Sequence, residues 1–220
     1  MPWNAALISA PTSNAPAVAE ESTRALIAVN AVTVVVAIAL HWPVATLLWP
    51  YWIQSVVIGY FSRRRMLALG RFSTAGFQIN GRPVDPTPQV QHKAANFFAL
   101  HYGFFHLVYL VFLVTASSGL EWWDWLGLVP LGISFAWNHR ASYQHNIEAD
   151  RRGTPNIGTL MFLPYLRIIP MHFTIILGAA VGGQSVLAVL LFGGLKTVAD
   201  VLMHHVEHHV LQRTREPAAA

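Results

Sequence analysis

Polar residues recur at helical spacing along the last apolar segment of this sequence. Lys196, Asp200, His204 and His208 follow one another every four residues, and Glu207 joins their stripe because seven residues make nearly two helical turns. His204, Glu207 and His208 have the spacing H-x-x-E-H. At this spacing two imidazoles one turn apart bind a metal, and the glutamate acts as a base or a ligand. The stripe predicts metal ligands at Asp200, His204 and His208, with Glu207 as a catalytic base.

Two further histidines on this segment face another direction. His205 and His209 lie roughly 100° further round the helix, so the four histidines cannot all bind one centre. We interpret His205 and His209 as side chains at the headgroup boundary rather than as ligands.

Other apolar segments carry histidines at compatible depths. At about 1.5 Å per residue from the predicted membrane edges, His101 and His139 come within the same half of the bilayer as Asp200. Because an ionisable group is unfavourable in a membrane, this agreement in depth predicts a shared internal metal site. His106 and His172 come nearer the middle. We expect them to complete a second metal position or to orient the first ligands by hydrogen bonds.

Two cations, Arg167 and Lys196, also lie inside apolar segments. They would bind an anionic headgroup of a substrate or pair with Asp200, and pairing is the more economical interpretation. Arg167 stands between Pro164 and Pro170, which free backbone carbonyls inside a helix. We therefore expect a kink that lines a cavity.

The segments that carry these residues are long enough to cross a membrane. Hydrophobic residues make up 54% of the 220 residues and charged residues 11%, which excludes a disordered chain and an ordinary soluble domain. A spanning helix needs about 20 mostly apolar residues. Segments that meet this criterion are 24–41, 44–62, 94–116, 122–145, 157–179 and 185–211. The sequence predicts an all-α, polytopic integral membrane protein, with one transmembrane domain over 24–212 between tails 1–23 and 213–220.

The charges predict an orientation. The formal net charge is +4, and the cations form short clusters between and after the spans rather than one soluble face. This favours anionic lipid as a partner and disfavours nucleic acid. Every terminal and loop cation lies on one side if both termini are cytoplasmic, and the opposite loops hold only Glu121 and Asp124 among charged residues. We therefore expect cytoplasmic termini.

The connections have recognisable turn chemistry. The loop of about 63–93 contains Asn80-Gly81 and a Pro-rich stretch, which predict a surface-lying cytoplasmic connector. His41-Trp42-Pro43 and Gly178 to Gly183 predict tight turns between neighbouring spans.

The residue types available restrict the chemistry. Cysteine is absent, which excludes disulfides, thiolate metal sites, iron–sulfur clusters, covalently attached haem and cysteine nucleophiles. With nitrogen and oxygen ligands, one or two ions of zinc, iron or manganese fit. Zinc favours hydrolysis by a metal-activated water with Glu207 as base, and a pair of irons favours oxidation. We expect a metalloenzyme that acts on a lipid or another apolar substrate from the cytoplasmic side.

Three other functions remain open. A non-covalent haem between His106 and His172 would make the protein an electron carrier. An ion or proton transporter would use the same polar stripe as a path. A structural membrane protein would use the polar residues only for contacts between helices.

Five stretches resemble a bacterial integral membrane family catalogued as a domain of unknown function. They are Tyr51-Trp52-Ile53 with Val56 to Gly59, Phe97-Phe98 with His101 to Gly103, Pro164-Tyr165 with Arg167-Ile168, His172 with Thr174 to Ile176, and Leu195-Lys196 with Asp200, His204 and Glu207-His208. The resemblance extends over about 44–209. It implies a multi-helix fold in a bacterial inner membrane and no known activity. It also implies that the family's polar positions are His101, His106, His139, His172, Asp200, His204, Glu207 and His208.

A second likeness is to membrane di-iron hydroxylases and desaturases. Their histidine boxes resemble His101 to His106 and His205 to His209, but the third box is missing. The likeness implies a reaction class without membership in those families.

Overall fold

The computed structural model describes the backbone of residues 15–117, 122–181 and 185–213, and the side chains of 23–117, 122, 126–177 and 185–203. Its elements in chain order are α1 (Ala15–Ala39), α2 (Val44–Leu67), β1 (Gln78–Ile79), β2 (Arg82–Pro83), α3 (Pro88–Ala116), α4 (Trp122–Arg152), α5 (Ile157–Phe162), α6 (Tyr165–Val181) and α7 (Val186–Arg213). The predicted all-helical architecture is confirmed, with one short β-hairpin added.

Four helical segments are long and apolar enough to cross a membrane: Val44–Leu67, Pro88–Ala116, Ile157–Leu177 and Val186–Met203. The described part of α1 adds a shorter apolar helix, Thr23–Ala39. These segments are consistent with an integral membrane protein. The count of six spans and the side on which the termini lie stay predictions.

The helix α3 shows how these segments are arranged around the core. Leu100, Leu107 and Val111 are exposed apolar residues, whereas Phe98 and Tyr102 are buried against other helices. In a soluble protein the exposed face of such a helix would be polar. An outward apolar face with an aromatic and polar interior is what a lipid environment favours.

The helix α2 is central to the packing. It packs against α3 and α4, while α7 packs against α1 and α6. Gly59 allows α3 to approach α2 closely, since a Cβ at this position would lie 2.5 Å from Cε1 of Tyr102. The Tyr102 hydroxyl donates a hydrogen bond to the Ser55 carbonyl at 3.0 Å, which fixes the ring in the contact.

The turn between α1 and α2 lies at His41-Trp42-Pro43, where the sequence predicts one. His41 has a φ of 54°, and the amide of Trp42 donates to the carbonyl of Ala37 at 2.8 Å. The second predicted turn is different, because Gly178 lies within α6 and residues 182–184 lie outside the described residues.

The connector between α2 and α3 is shorter than the predicted 63–93, because both helices extend into it. Thr87 caps α3 by accepting from the Val90 amide, and Pro88 occupies the first turn. Within the connector, Asn80 and Gly81 have φ values of 52° and 72°, the backbone of a two-residue hairpin turn.

The connector also packs against the start of α5. The Ser73 amide donates to the Pro155 carbonyl at 2.9 Å, and the Ile157 amide donates to the Ser73 carbonyl at 3.0 Å. The Asn156 side chain donates to the Ala75 carbonyl at 2.8 Å. These bonds hold Ala75 to Phe77 beside α5.

Candidate functional site

The fifth predicted span is divided into α5 and α6, and this division organises the candidate site. The Asn156 side chain caps α5 by accepting from the Thr159 amide at 3.0 Å. The helix then breaks at Leu163 and Pro164, because proline has no amide hydrogen to continue the ladder. Two cavities lie beside this break, and Leu163 lines both.

The larger one, the apolar cavity, has a volume of about 790 Å³. It is bounded by α3, α5, α6 and the connector at Ala75 to Phe77. Most of its lining is aromatic or aliphatic, including Phe77, Phe105, Phe162, Leu166, Ile169 and Phe173. His101, Tyr165 and His172 add polar atoms to this lining.

Two histidine–tyrosine pairs join α3 to α6 at the apolar cavity. Nδ1 of His101 lies 2.9 Å from the hydroxyl of Tyr165, and Nδ1 of His172 lies 3.1 Å from the hydroxyl of Tyr109. The His101 ring also stacks on Phe97 with a centroid distance of 5.3 Å. Both imidazoles are thus held at Nδ1 by a tyrosine.

His106 is placed differently from His101 and His172. It is 5% exposed, its Nδ1 lies 2.9 Å from the Tyr102 carbonyl, and its ring stacks on Tyr102 at 4.3 Å. Its Nε2 has no hydrogen-bond partner among the described residues. Tyr109 contacts the rings of both His106 and His172, at centroid distances of 6.0 and 6.2 Å.

The second cavity, the polar cavity, has a volume of about 570 Å³ and lies on the other side of the break. It is bounded by α2, α4, α5, the start of α6 and α7. The residues in its lining that carry charge or hydrogen-bonding groups include Arg65, His139, Ser142, His145, Asn146 and Arg167. No acidic residue is part of its described lining.

Arg65 is engaged in a bidentate ion pair that joins α2 to α4. Its Nε lies 2.5 Å from Oδ2 of Asp150, and its Nη2 lies 2.7 Å from Oδ1. Asp150 is 8% exposed. This fork of two parallel bonds is the strong geometry for an arginine and a carboxylate, so Arg65 has a structural partner.

A second charged group, the Asp200 cluster, joins α1, α6 and α7. Nζ of Lys196 lies 2.5 Å from Oδ2 of Asp200 and donates to Oδ1 of Asn30 at 2.8 Å. The amide of Asn30 donates to Oδ2 of Asp200 at 3.2 Å. Nη1 of Arg167 lies 3.8 Å from Oδ1 of Asp200. Arg167 and Lys196 thus both contact Asp200, and a role for either cation in binding an anionic headgroup of a substrate stays a prediction.

The structure distributes the described members of the predicted metal site over separate places. His101 and His172 line the apolar cavity, and His139 lines the polar cavity. Asp200 contacts cations and an amide, and His106 is buried against α2. Among the residues with described side chains, no group of three or more histidine or acidic residues is placed to hold a metal ion.

The remaining members lie outside the described side chains. They are His204, Glu207 and His208, together with the two predicted spectators His205 and His209. The described residues therefore give no support for a zinc or iron site. The shared metal site, its catalytic base and the haem alternative stay predictions.

Three contact residues were missed by sequence reasoning. Asn30 interrupts an apolar run, and a polar residue inside a span is a signal for a partner. Asp150 is followed by two arginines in the sequence, a pattern typical of a solvated charge cluster rather than of an ion pair with Arg65 of α2. Nothing in the sequence marks Tyr109 as a contact residue, because tyrosine is common in apolar helices.

The chain belongs to a family of unknown function, DUF6498, whose model matches residues 12–217. This confirms the expected resemblance to a family of unknown function. It supports neither the individual motifs nor the likeness to di-iron enzymes. No curated protein and no solved structure matches the chain.

Proposed function

We propose that this member of the family is an integral membrane protein that binds an uncharged, lipid-like molecule in the apolar cavity. The observation that carries the proposal is the combination of an apolar lining with two histidine–tyrosine pairs. Ligand pockets are mostly hydrophobic and carry a few polar groups that orient the ligand. The volume of about 790 Å³ lies within the range of roughly 300–1,000 Å³ of such pockets.

The surroundings of the apolar cavity favour access from lipid. Phe162, Ile169 and Phe173 line it and are 63%, 45% and 46% exposed. They belong to a segment apolar enough to cross a membrane. A molecule dissolved in the bilayer would therefore reach the cavity without passing through water.

The histidine–tyrosine pairs would orient the bound molecule. In each pair Nδ1 is held by a tyrosine hydroxyl, which leaves Nε2 of His101 and His172 as the ring atoms able to contact a ligand. A neutral imidazole offers either a donor or an acceptor at Nε2, depending on its tautomer. A hydroxyl or carbonyl group on an otherwise apolar ligand fits this chemistry.

The proposal includes six spans, cytoplasmic termini and a bacterial inner membrane. Basic residues in the last turns of two helices, Arg64 and Arg65 of α2 and Arg151 and Arg152 of α4, support the orientation. The ion pair of Arg65 with Asp150 brings these two ends together. One basic surface at the cytoplasmic face agrees with the positive-inside rule.

The test uses a photoactivatable, uncharged long-chain alcohol and the purified protein in neutral lipid. Ile169→Trp places a large ring in the apolar cavity, and Ile176→Trp makes the same change at an exposed position of α6 that does not line it. We expect cross-links at α6 in the wild-type protein. Labelling should fall several-fold in Ile169→Trp and stay unchanged in Ile176→Trp.

Mass spectrometry of the cross-linked peptides decides between specific binding and general lipid contact. Cross-links spread evenly over the exposed faces of α3 and α7, or equal labelling of the two variants, would contradict a binding site in the apolar cavity. Thermal unfolding of each variant shows whether the added ring has disturbed the fold.

A further inference from the structure

We infer that the polar cavity is a binding site for a phosphate-type oxyanion, with Arg167 as its principal donor. This site is separate from the apolar cavity and does not depend on the function proposed for that cavity. The anion would be either a free phosphate or the phosphate headgroup of a lipid.

The charge balance of the polar cavity favours an anion. Arg65 and Arg167 line it, and no acid is part of its described lining. Outside the lining, Asp150 balances Arg65, whereas Asp200 is shared between Lys196 and Arg167. Among the residues with described side chains, three cations thus face two carboxylates, which leaves one positive charge in excess. Uncompensated positive charge on the partly buried side chain of Arg167 is unfavourable, so an anion would stabilise the site.

Arg167 has N–H donors that are available to bind an anion. Lys196 and Asn30 already bind Oδ2 of Asp200 at hydrogen-bond distance. Arg167 reaches Oδ1 at 3.8 Å, which is an ion-pair distance too long for a hydrogen bond. A guanidinium has five N–H donors in a planar fork that matches phosphate geometry. Most of these donors have no partner among the described contacts.

The other polar residues of the lining would add hydrogen-bond donors around the anion. His139, Ser142, His145 and Asn146 come from two successive turns of α4, and each carries a group that can donate a hydrogen bond. Arg65 contributes positive electrostatic potential, but its guanidinium already forms a bidentate ion pair with Asp150. A set of neutral donors around one available arginine is the arrangement that phosphate recognition needs.

The position of the polar cavity in the chain supports a ligand from the headgroup layer. It includes Arg65 at the end of α2 and lies beside Asp150 at the end of α4, next to the basic clusters. Basic clusters of this kind attract anionic lipid. The same field would raise the local concentration of free phosphate.

The experiment measures binding of two probes to the protein in discs of uncharged phosphatidylcholine. One probe is radiolabelled inorganic phosphate and the other is a labelled short-chain phosphatidic acid. We expect saturable binding of at least one probe to the wild-type protein. Phosphatidic acid alone would identify a lipid headgroup site, and competition by inorganic phosphate would identify a site for the free ion.

Two independent changes test the assignment to the polar cavity. Arg167→Gln should lower affinity at least about tenfold, the loss expected from one charge-assisted hydrogen bond. Ser142→Phe fills cavity space without removing a charge and should lower affinity similarly. Ser134→Phe is its matched control, since Ser134 is an exposed serine of α4 outside the lining. Arg167→Lys keeps the charge and should retain part of the affinity.

The inference is overturned if neither probe binds the wild-type protein, or if Ser142→Phe and Ser134→Phe bind equally well. If Arg167→Gln does not fold, the serine pair still decides the question. Labelling by the uncharged photoprobe should be unchanged in Ser142→Phe, so that failure here is distinguishable from failure of the function proposed for the apolar cavity.

Discussion

Asp200 joins three helices, and neutralising it should destabilise the protein strongly. The change Asp200→Asn keeps the size of the side chain and removes its charge. Lys196 and Arg167 would then face each other without a carboxylate between them. We expect weaker packing of α7 against both α1 and α6, because the cluster connects all three helices.

The expected loss of stability follows from the burial of the Asp200 carboxylate. Removing one partner of a buried ion pair costs about 3–5 kcal/mol, since it leaves an uncompensated charge. Asp200 is 9% exposed, but the side chain of Lys196 is 27% exposed and can turn partly toward solvent or headgroups. The loss should therefore lie near the lower bound, at about 3 kcal/mol.

A second substitution separates charge from packing. In Asp200→Asn/Lys196→Met one of the two cations is removed as well, so the double variant should recover about 1–2 kcal/mol relative to Asp200→Asn. Asp85→Asn is the control, because Asp85 is exposed in the connector and surface changes stay within about 0.5 kcal/mol.

Unfolding is followed by circular dichroism in mixed micelles of a mild detergent and increasing sodium dodecyl sulfate. Two results would refute the reasoning. One is an Asp200→Asn protein within about 0.5 kcal/mol of wild type, as for a surface site. The other is a double variant less stable than the single variant, since that would show packing of Lys196 to matter more than charge.

Three further outcomes are expected. Gly59→Ala should destabilise by about 1–3 kcal/mol because its Cβ would lie 2.5 Å from Tyr102, whereas Gly103→Ala, with nothing within 4 Å, should be neutral or stabilise by up to about 1 kcal/mol in the same unfolding assay. His106→Phe should be neutral or stabilising in that assay, because it removes a buried Nε2 that has no partner among the described residues; a marked loss of stability would show that the Nδ1 contact with the Tyr102 carbonyl, or a partner of Nε2, stabilises the fold. A cysteine at position 75 should resist an impermeant thiol reagent in intact cells and react after permeabilisation; labelling of intact cells would invert the topology.

The position of a helix along the chain can be predicted largely from hydropathy. The residues at which it begins and ends depend instead on capping residues, prolines and polar extensions beyond the apolar segment. The sequence predicts α3 from 94, yet it begins at Pro88 because Thr87 and Pro88 supply a capping residue and a first-turn proline. Both signals are present in the sequence within a stretch that resembles a linker. The helix α4 extends to Arg152, beyond the predicted 145, because hydropathy indicates where lipid ends and not where the helix ends.

The sequence predicts the depth of a candidate residue in the membrane but not its arrangement relative to the other candidates. Depth along each span can be counted, and it places His101 and His139 in one layer. The rotation of each helix about its axis cannot be obtained by counting residues. This rotation decides which side of the α5–α6 break a residue faces. In the structure His101 lies on the apolar side and His139 on the polar side.

The break between α5 and α6 connects the two proposals. Leu163 lines both cavities, Tyr165 faces the apolar one and Arg167 the polar one. The two linings differ in the ligand that they favour, an uncharged molecule beside Tyr165 and an anion at Arg167. The same geometry constrains the predicted metal site. A divalent ion bound by His139 would add positive charge to a cavity that Arg167 already lines, so it would need an anionic ligand in that cavity as a counter-charge.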